Sequence, residues 1–233
     1  MASTPSTVIE YPESDGKPIG ETDLHRDAMV RHIELLKQHY QGQEVYVSGD
    51  LLVYYEEGNP KKFIVPDAFI VKGLKQFPRR TFQLWNEKIA PQLVIETTSR
   101  KTRQRDQNVK PSIYAQIGVH EYFMFDPTSD YLNPPLQGYR LVDGAYVRIA
   151  TDAQGALPSQ ELGLQLMLVD GELEFIDPDS GQRLLTAEEG RLQELEARQR
   201  EVDRRIREAE ARKKAEDEVV LLKEQIRKLQ GGQ

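Results

Sequence analysis

Phe63-Ile64-Val65-Pro66-Asp67-Ala68-Phe69-Ile70-Val71 and, twenty residues on, Pro91-Gln92-Leu93-Val94-Ile95-Glu96-Thr97-Thr98 are the two runs from which the fold is read. Both are short, apolar and rich in β-branched or aromatic residues, so each predicts a strand. The run from Leu93 to Thr97 is continuously apolar apart from Glu96, the pattern of a strand covered on both faces. A carboxylate set in such a strand must be engaged by a partner, because burying it alone is costly. Asp67 and Glu96 are therefore singled out at once. Directly behind Glu96 lies Ser99-Arg100-Lys101-Thr102-Arg103-Gln104-Arg105, four basic side chains with no acid among them.

Working outward, a helix is predicted to start near Thr22 or Asp23, with Leu24, Ala28, His32, Leu35 and Leu36 on an apolar stripe. Glu44 to Tyr55 reads as two extended pieces broken at Ser48-Gly49-Asp50, and an antiparallel hairpin with the strand ending at Val71 is the simplest connection. Leu74 to Lys88 reads as an irregular or short helical link interrupted by Pro78. A helix over Asn108 to Ile117 tolerates Pro111 only in its first turn, and Gly118 supplies its C-cap. His120 to Phe125 is then a strand parallel to the Glu96 strand, since strand, helix, strand is a crossover unit. Asp143-Gly144 and Asp170-Gly171, each between apolar alternations, predict two further hairpins that extend or flank the sheet. The expected fold class is α/β, a mixed β-sheet flanked by helices.

Both ends read differently from this centre. Residues 1–20 are polar, lack periodicity and predict a loosely attached arm. From about Glu188 the chain is almost uniformly charged, and Leu192, Leu195, Val202, Ile206 and Ala209 recur at three- and four-residue spacing, with Gln199 filling the missing place. Val219, Leu222, Ile226 and Leu229 repeat the spacing one residue out of register. This predicts a coiled coil over 187–230 with a discontinuity near Lys213 to Glu218, self-association through its seam, and a single solvated helix as the plainer alternative. The expected organisation is thus an arm at 1–20, a domain at 21–186 and a coiled-coil helix at 187–230.

Composition narrows the chemistry. The chain has 233 residues and no cysteine, which removes thiolate nucleophiles, disulfides and the usual structural zinc sites. No apolar run reaches bilayer length and no leader pattern opens the chain, so a cytoplasmic protein without membrane contact is expected. The formal net charge is −7, against coating of nucleic acid by bulk positive charge. The 187–230 segment holds 12 basic and 12 acidic residues, so of 31 and 38 in the whole chain the remainder keeps 19 basic against 26 acidic. Arg100, Lys101, Arg103 and Arg105 are then a local exception, the place where a phosphate backbone would be held unless they are merely a solvated loop.

Two carboxylates on neighbouring strands beside a cationic loop suit hydrolysis of a phosphodiester. That reaction needs an activated water and charge relief on phosphorus, and magnesium held by carboxylates supplies both. Asp67 and Glu96 are the expected ligands, with the backbone carbonyl of Thr97 as a third contact. The pair Pro66-Asp67 with Glu96 and Thr98 resembles the PD-(D/E)xK nuclease pattern with threonine in place of its lysine. Arg105-Asp106, Lys110, Tyr114, Gly118-Val119, Glu121-Tyr122 and Asp126-Pro127 extend the likeness. Together they resemble the Uma-type restriction endonuclease family over about Asp23 to Leu185.

That resemblance implies a restriction-endonuclease-like sheet, DNA as substrate, Mg2+ (or Mn2+) as cofactor, and Lys110, on the helix after the glutamate strand, as the third catalytic residue beside Asp67 and Glu96. Members often carry a histidine where His25 stands. On spacing alone, His25, His32 and His39 are seven apart, roughly 10 Å along a helix, too far to share one ion. They read as residues bordering its buried face. Tyr114 and Tyr122 read as packing residues, Glu121 as a supporting group or partner for an arginine, and Lys110 with Asp106 alternatively as a surface ion pair. The expected activity is a metal-dependent endonuclease cutting DNA, dimerised by its C-terminal helix. The competing expectation is a silent nuclease-fold scaffold or DNA-binding module that recruits a partner through the coiled coil, motivated by Thr98, Pro111 and the net acidity.

Overall fold

The computed structural model describes residues 9–16 and 22–230. The chain divides into two compact units, residues 1–184 and 185–233. In the first, Thr22 caps α1 (Asp23–His39), its hydroxyl accepting from the His25 amide at 3.3 Å. The chain continues through β1 (Val45–Ser48), β2 (Val53–Tyr54), β3 (Phe63–Ile64), β4 (Ala68–Lys72), β5 (Phe82–Gln83), α2 (Leu84–Glu87) and β6 (Leu93–Thr97). A five-residue π turn (Arg105–Val109) leads into α3 (Lys110–Ile117), and β7 (Glu121–Phe125) follows. β8 (Leu136–Val142), β9 (Ala145–Arg148), β10 (Leu157–Ser159), β11 (Leu164–Val169) and β12 (Glu172–Ile176) complete the unit.

The main sheet has six strands in the order β1-β4-β6-β7-β8-β9, with β6 and β7 parallel and every other pair antiparallel. The mixed sheet expected from the sequence is present, and the crossover through α3 makes its parallel pair. The expected hairpin of neighbouring strands is divided between two sheets. β1 pairs with β4, while β2 pairs with β3 and with β5 in a small three-stranded sheet. The split falls at Ser48-Gly49-Asp50, where Asp50 takes φ 47° and its amide donates to the Pro66 carbonyl. The Asp143-Gly144 hairpin extends the main sheet, and the Asp170-Gly171 hairpin joins β10 in a separate sheet. In both turns the Asp and Gly have positive φ, the geometry that suits strand twist.

α1 and the β10-β11-β12 sheet share one apolar core with one face of the main sheet, through Leu35, Leu36, Ile95, Phe123, Leu166 and Phe175. The other face carries Phe69, Val94, Tyr114, Tyr122 and Met124, so α3 packs opposite α1. The helix expected from Asn108 starts earlier, at Arg103, and widens before Pro111. In the π turn the Lys110 amide bonds the Arg105 carbonyl, and Pro111 falls in the first turn of α3, where a missing N–H costs least.

Residues 9–16, expected to belong to a loose arm, are held. The Tyr11 ring lies 5.1 Å from those of Tyr54 and Trp85, and the Tyr54 hydroxyl donates to the Pro12 carbonyl at 2.5 Å. Aromatic packing explains the difference: Tyr11 docks on Tyr54 and Trp85, contacts that its polar sequence neighbours do not signal. The rest of the expected arm, 1–8 and 17–20, lies outside the described residues. The second unit contains one continuous helix, α4 (Ala187–Gln230), which runs through the expected discontinuity without a break. Among the described residues no helix is long and apolar enough to cross a membrane.

Candidate active site

Strand alternation sets the site. In β6, Val94 packs on the α3 face, so Glu96 two residues on points the same way, toward the helix that carries Lys110 and Tyr114. Glu96 is fully buried. Lys110 Nζ lies 2.6 Å from Glu96 Oε2, and the Tyr114 hydroxyl donates to Glu96 Oε1 at 2.5 Å. Lys110 also stands 3.0 Å from Asp106 Oδ1. Asp106, Lys110 and Tyr114 are four residues apart on one helical stripe, so Lys110 and Tyr114 hold Glu96 while Asp106 holds Lys110. The Tyr122 hydroxyl on β7 donates to the Asp106 carbonyl at 2.7 Å and ties the π turn to the sheet.

Asp67 precedes β4, which pairs antiparallel with β6 and brings Asp67 beside Glu96. The Asp67 amide donates to Glu96 Oε2 at 3.3 Å, and Asp67 Oδ2 accepts the Thr97 amide at 2.7 Å. In an extended strand the N–H and C=O of one residue point to the same edge, so the Thr97 carbonyl shares Asp67's edge of β6. From α1, His25 Nε2 comes within 3.3 Å of Asp67 Oδ2. Gly49 makes this corner possible: a Cβ there would stand 1.9 Å from the Asp67 carbonyl oxygen. No side chain larger than hydrogen fits at that position without moving Asp67.

The electrostatics follow from burial and from who faces whom. Burial pushes the Asp67 carboxyl up, but Lys110, His25 and the Thr97 amide outweigh it and hold Asp67 below the usual carboxylate range. Burial, with Asp67 and Asp106 nearby, raises Glu96 well above that range, against the pull of Lys110. Lys110 is raised despite its burial, because Glu96, Asp67 and Asp106 all favour its charged form. It is therefore an ammonium ion at neutral pH. Burial and Glu96 likewise keep the Tyr114 hydroxyl protonated.

Asp67, Glu96 and Lys110 thus converge, whereas the four basic side chains lie outside the cluster. Arg100, Lys101, Arg103 and Arg105 are exposed, and among the described residues none pairs with either carboxylate. The Arg103 guanidinium sits 5.7 Å from the Tyr131 ring centroid. Three residues that sequence reasoning left outside the cluster belong to it. His25, read as bordering a buried face, reaches Asp67; Asp106, read as half of a surface pair, is fully buried; Tyr114, read as packing, holds Glu96. The four-residue spacing of Asp106, Lys110 and Tyr114 is the signal that would have joined the last two, and no such signal marks His25. Glu121 has a different role, accepting from Arg140, Ser159 and the Gln160 and Glu161 amides at the opposite end of β7.

The donor set suits a divalent cation of the magnesium class. Its oxygens are hard, Asp67 Oδ1 takes no hydrogen bond from the described residues, and the Asp67 side chain keeps 16% of its surface open. No group of three or more His, Asp or Glu side chains gathers as a cage among the described residues, so a backbone carbonyl such as that of Thr97 is needed to extend the set.

No curated protein matches the chain. Among solved structures, the chain is similar to one from Anabaena variabilis described as "a putative nuclease belonging to DUF820", at 13% identity and a TM-score of 0.47 over 66% of this chain and 86% of that one. The family model Uma2, described as "Putative restriction endonuclease", matches residues 3–179. The match covers most of the chain, including every residue of the buried cluster, and the protein belongs to the Uma2 family.

Proposed function

We propose that this protein is a metal-dependent endonuclease that hydrolyses DNA phosphodiester bonds at the Asp67–Glu96–Lys110 corner. The observation that carries this reading is the 2.6 Å contact of Lys110 with Glu96, beside an Asp67 whose own amide donates to the same carboxylate. Asp67, Glu96 and the Thr97 carbonyl would hold Mg2+ or Mn2+, which supplies charge relief on the phosphate and an activated water. Lys110 does not serve as a base, because its surroundings favour the ammonium form. It holds a positive charge beside the reacting phosphate and orients Glu96. Tyr114 fixes the other oxygen of Glu96, and His25 and the Thr97 amide fix Asp67. Arg100, Lys101, Arg103 and Arg105 hold the flanking phosphates. Two copies joined through α4 would cut one strand each.

One observation favours a second reading, a silent scaffold of the same fold. Glu96 already accepts from the Asp67 amide, Lys110 and Tyr114, which occupies both its oxygens. Plasmid DNA incubated with the protein decides between the two. The nuclease reading expects nicking or linearisation with magnesium or manganese, loss with chelator, and a fall of roughly two orders of magnitude in Asp67→Asn and Glu96→Gln. Cleavage that survives both substitutions would defeat the site, and no cleavage with either metal would favour the scaffold.

A further inference from the structure

The 44-residue helix α4 leaves its apolar seam uncovered: Leu192 is 50%, Leu195 53%, Val202 43% and Ile206 51% exposed. Placing Leu192, Gln199 and Ile206 at a positions, and Leu195, Val202 and Ala209 at d, assigns every other residue of this segment. The g positions are Arg191, Arg198, Arg205 and Arg212, all arginine. The e positions are Glu196, Asp203 and Glu210, all acidic. A solvated helix has no need to sort its charges this way about the seam. Its own exposed pairs, such as Arg205 with Glu201 at 2.8 Å and Arg198 with Glu194 at 3.9 Å, are formed whichever flank carries which sign.

From this sorting we infer that the helix binds a second copy of itself in parallel and in register. The inference rests on the dimer included in the proposed function and specifies its geometry. In a parallel pair each g residue faces the e residue five positions on in the other chain. Arg191 then faces the partner's Glu196, Arg198 the partner's Asp203, and Arg205 the partner's Glu210. After the register shift, Val219 and Leu222 take a and d, and Glu218 at g faces the partner's Lys223 at e, with both signs exchanged and the attraction kept.

Gln199 meets the partner's Gln199, so two amides that would be stranded against apolar side chains can bond each other. In the free helix the Gln199 amide donates to Asp203 at 2.8 Å, the same acid that Arg198 of the other copy would reach. Antiparallel pairing fails in either register. The first segment laid on itself sets arginine against arginine and acid against acid, and slid onto the second it places Gln199 against Leu222. Parallel pairing also puts the two helix N-termini side by side. Each is covalently continuous with a 1–184 unit.

The chain has no cysteine, which makes the test direct. Gln199→Cys and Leu222→Cys are made separately in the full-length protein and oxidised, alone and as an equimolar mixture. The expected result is a disulfide dimer from each variant alone and no 199–222 species in the mixture. Cross-linking found only between positions 199 and 222 would overturn the parallel orientation while leaving the dimer. A monomer or trimer mass in sedimentation of the unmodified protein would overturn the dimer itself, and neither result bears on plasmid cleavage.

Charge reversal supplies a second arm. Arg198→Glu with Arg205→Glu raises the dimer dissociation constant by about tenfold or more at low salt, because the interhelical attractions become repulsions. Adding Asp203→Arg and Glu210→Arg restores it. Failure of that rescue would contradict the assigned pairing.

Discussion

In the 1–184 unit, Lys110, Glu96 and Asp106 are buried, and each charge is held by another within 3.0 Å. Along α4 the charges are as dense but exposed, and their pairs lie on the surface of a single helix. The first arrangement costs desolvation and is complete within one chain; the second costs little and gains meaning only against another surface. Under the proposed function and the inferred coil, buried charge marks the chemistry and exposed charge, sorted by flank, marks the partner.

Deleting one charge from each region separates them most sharply. Lys110→Met leaves Glu96 and Asp106 buried without their cation, and the cost is about 3–5 kcal/mol of stability. The matched change Arg200→Met, which removes the exposed pair with Glu196, leaves the same denaturation midpoint of the 1–184 unit in place. Urea unfolding of both variants checks this, and a Lys110→Met midpoint equal to wild type would erase the contrast.

A smaller effect comes from His32, which is buried between the Phe125 and Phe175 rings and has its pKa lowered from 6.5 to about 3, chiefly by desolvation. The unfolded chain binds this proton below pH 6.5 and the folded chain does not, so stability falls as pH drops from 6.5 toward 3. By linkage the loss at pH 5 is about 2 kcal/mol relative to neutral pH. His32→Leu removes that slope between pH 7 and 5, and an unchanged slope would assign it to other groups. The helix offers no counterpart, since it contains no histidine.

Much of this was legible in the sequence. Apolar runs announced β4 and β6, the crossover made β6 and β7 parallel, and Asp-Gly pairs marked both hairpins. Asp67, Glu96 and Lys110 were legible because a carboxylate in an apolar strand has few bland explanations, and a family likeness supplied the lysine. What stayed hidden depends on contacts between elements far apart in the chain. His25 reaches Asp67 across 42 residues, and nothing local to α1 says which side of its stripe faces the sheet corner. Tyr114 looks like any buried aromatic until the strand opposite is known to present Glu96. Gly49 reads as a turn glycine, and only the folded chain brings the Asp67 carbonyl to its Cβ position. The π turn follows from Pro111, a residue whose effect on helix period is local but whose consequence, the buried Asp106–Lys110 pair, is not.

On the proposed function, the buried corner holds a divalent cation through Asp67 and Glu96. Calorimetric titration of magnesium or manganese into the full-length protein tests it without relying on activity. One saturable site that disappears in Asp67→Asn, in protein whose unfolding midpoint shows it folded, is the predicted result. Binding unchanged by that substitution, or no binding at all in the wild-type protein, would contradict it.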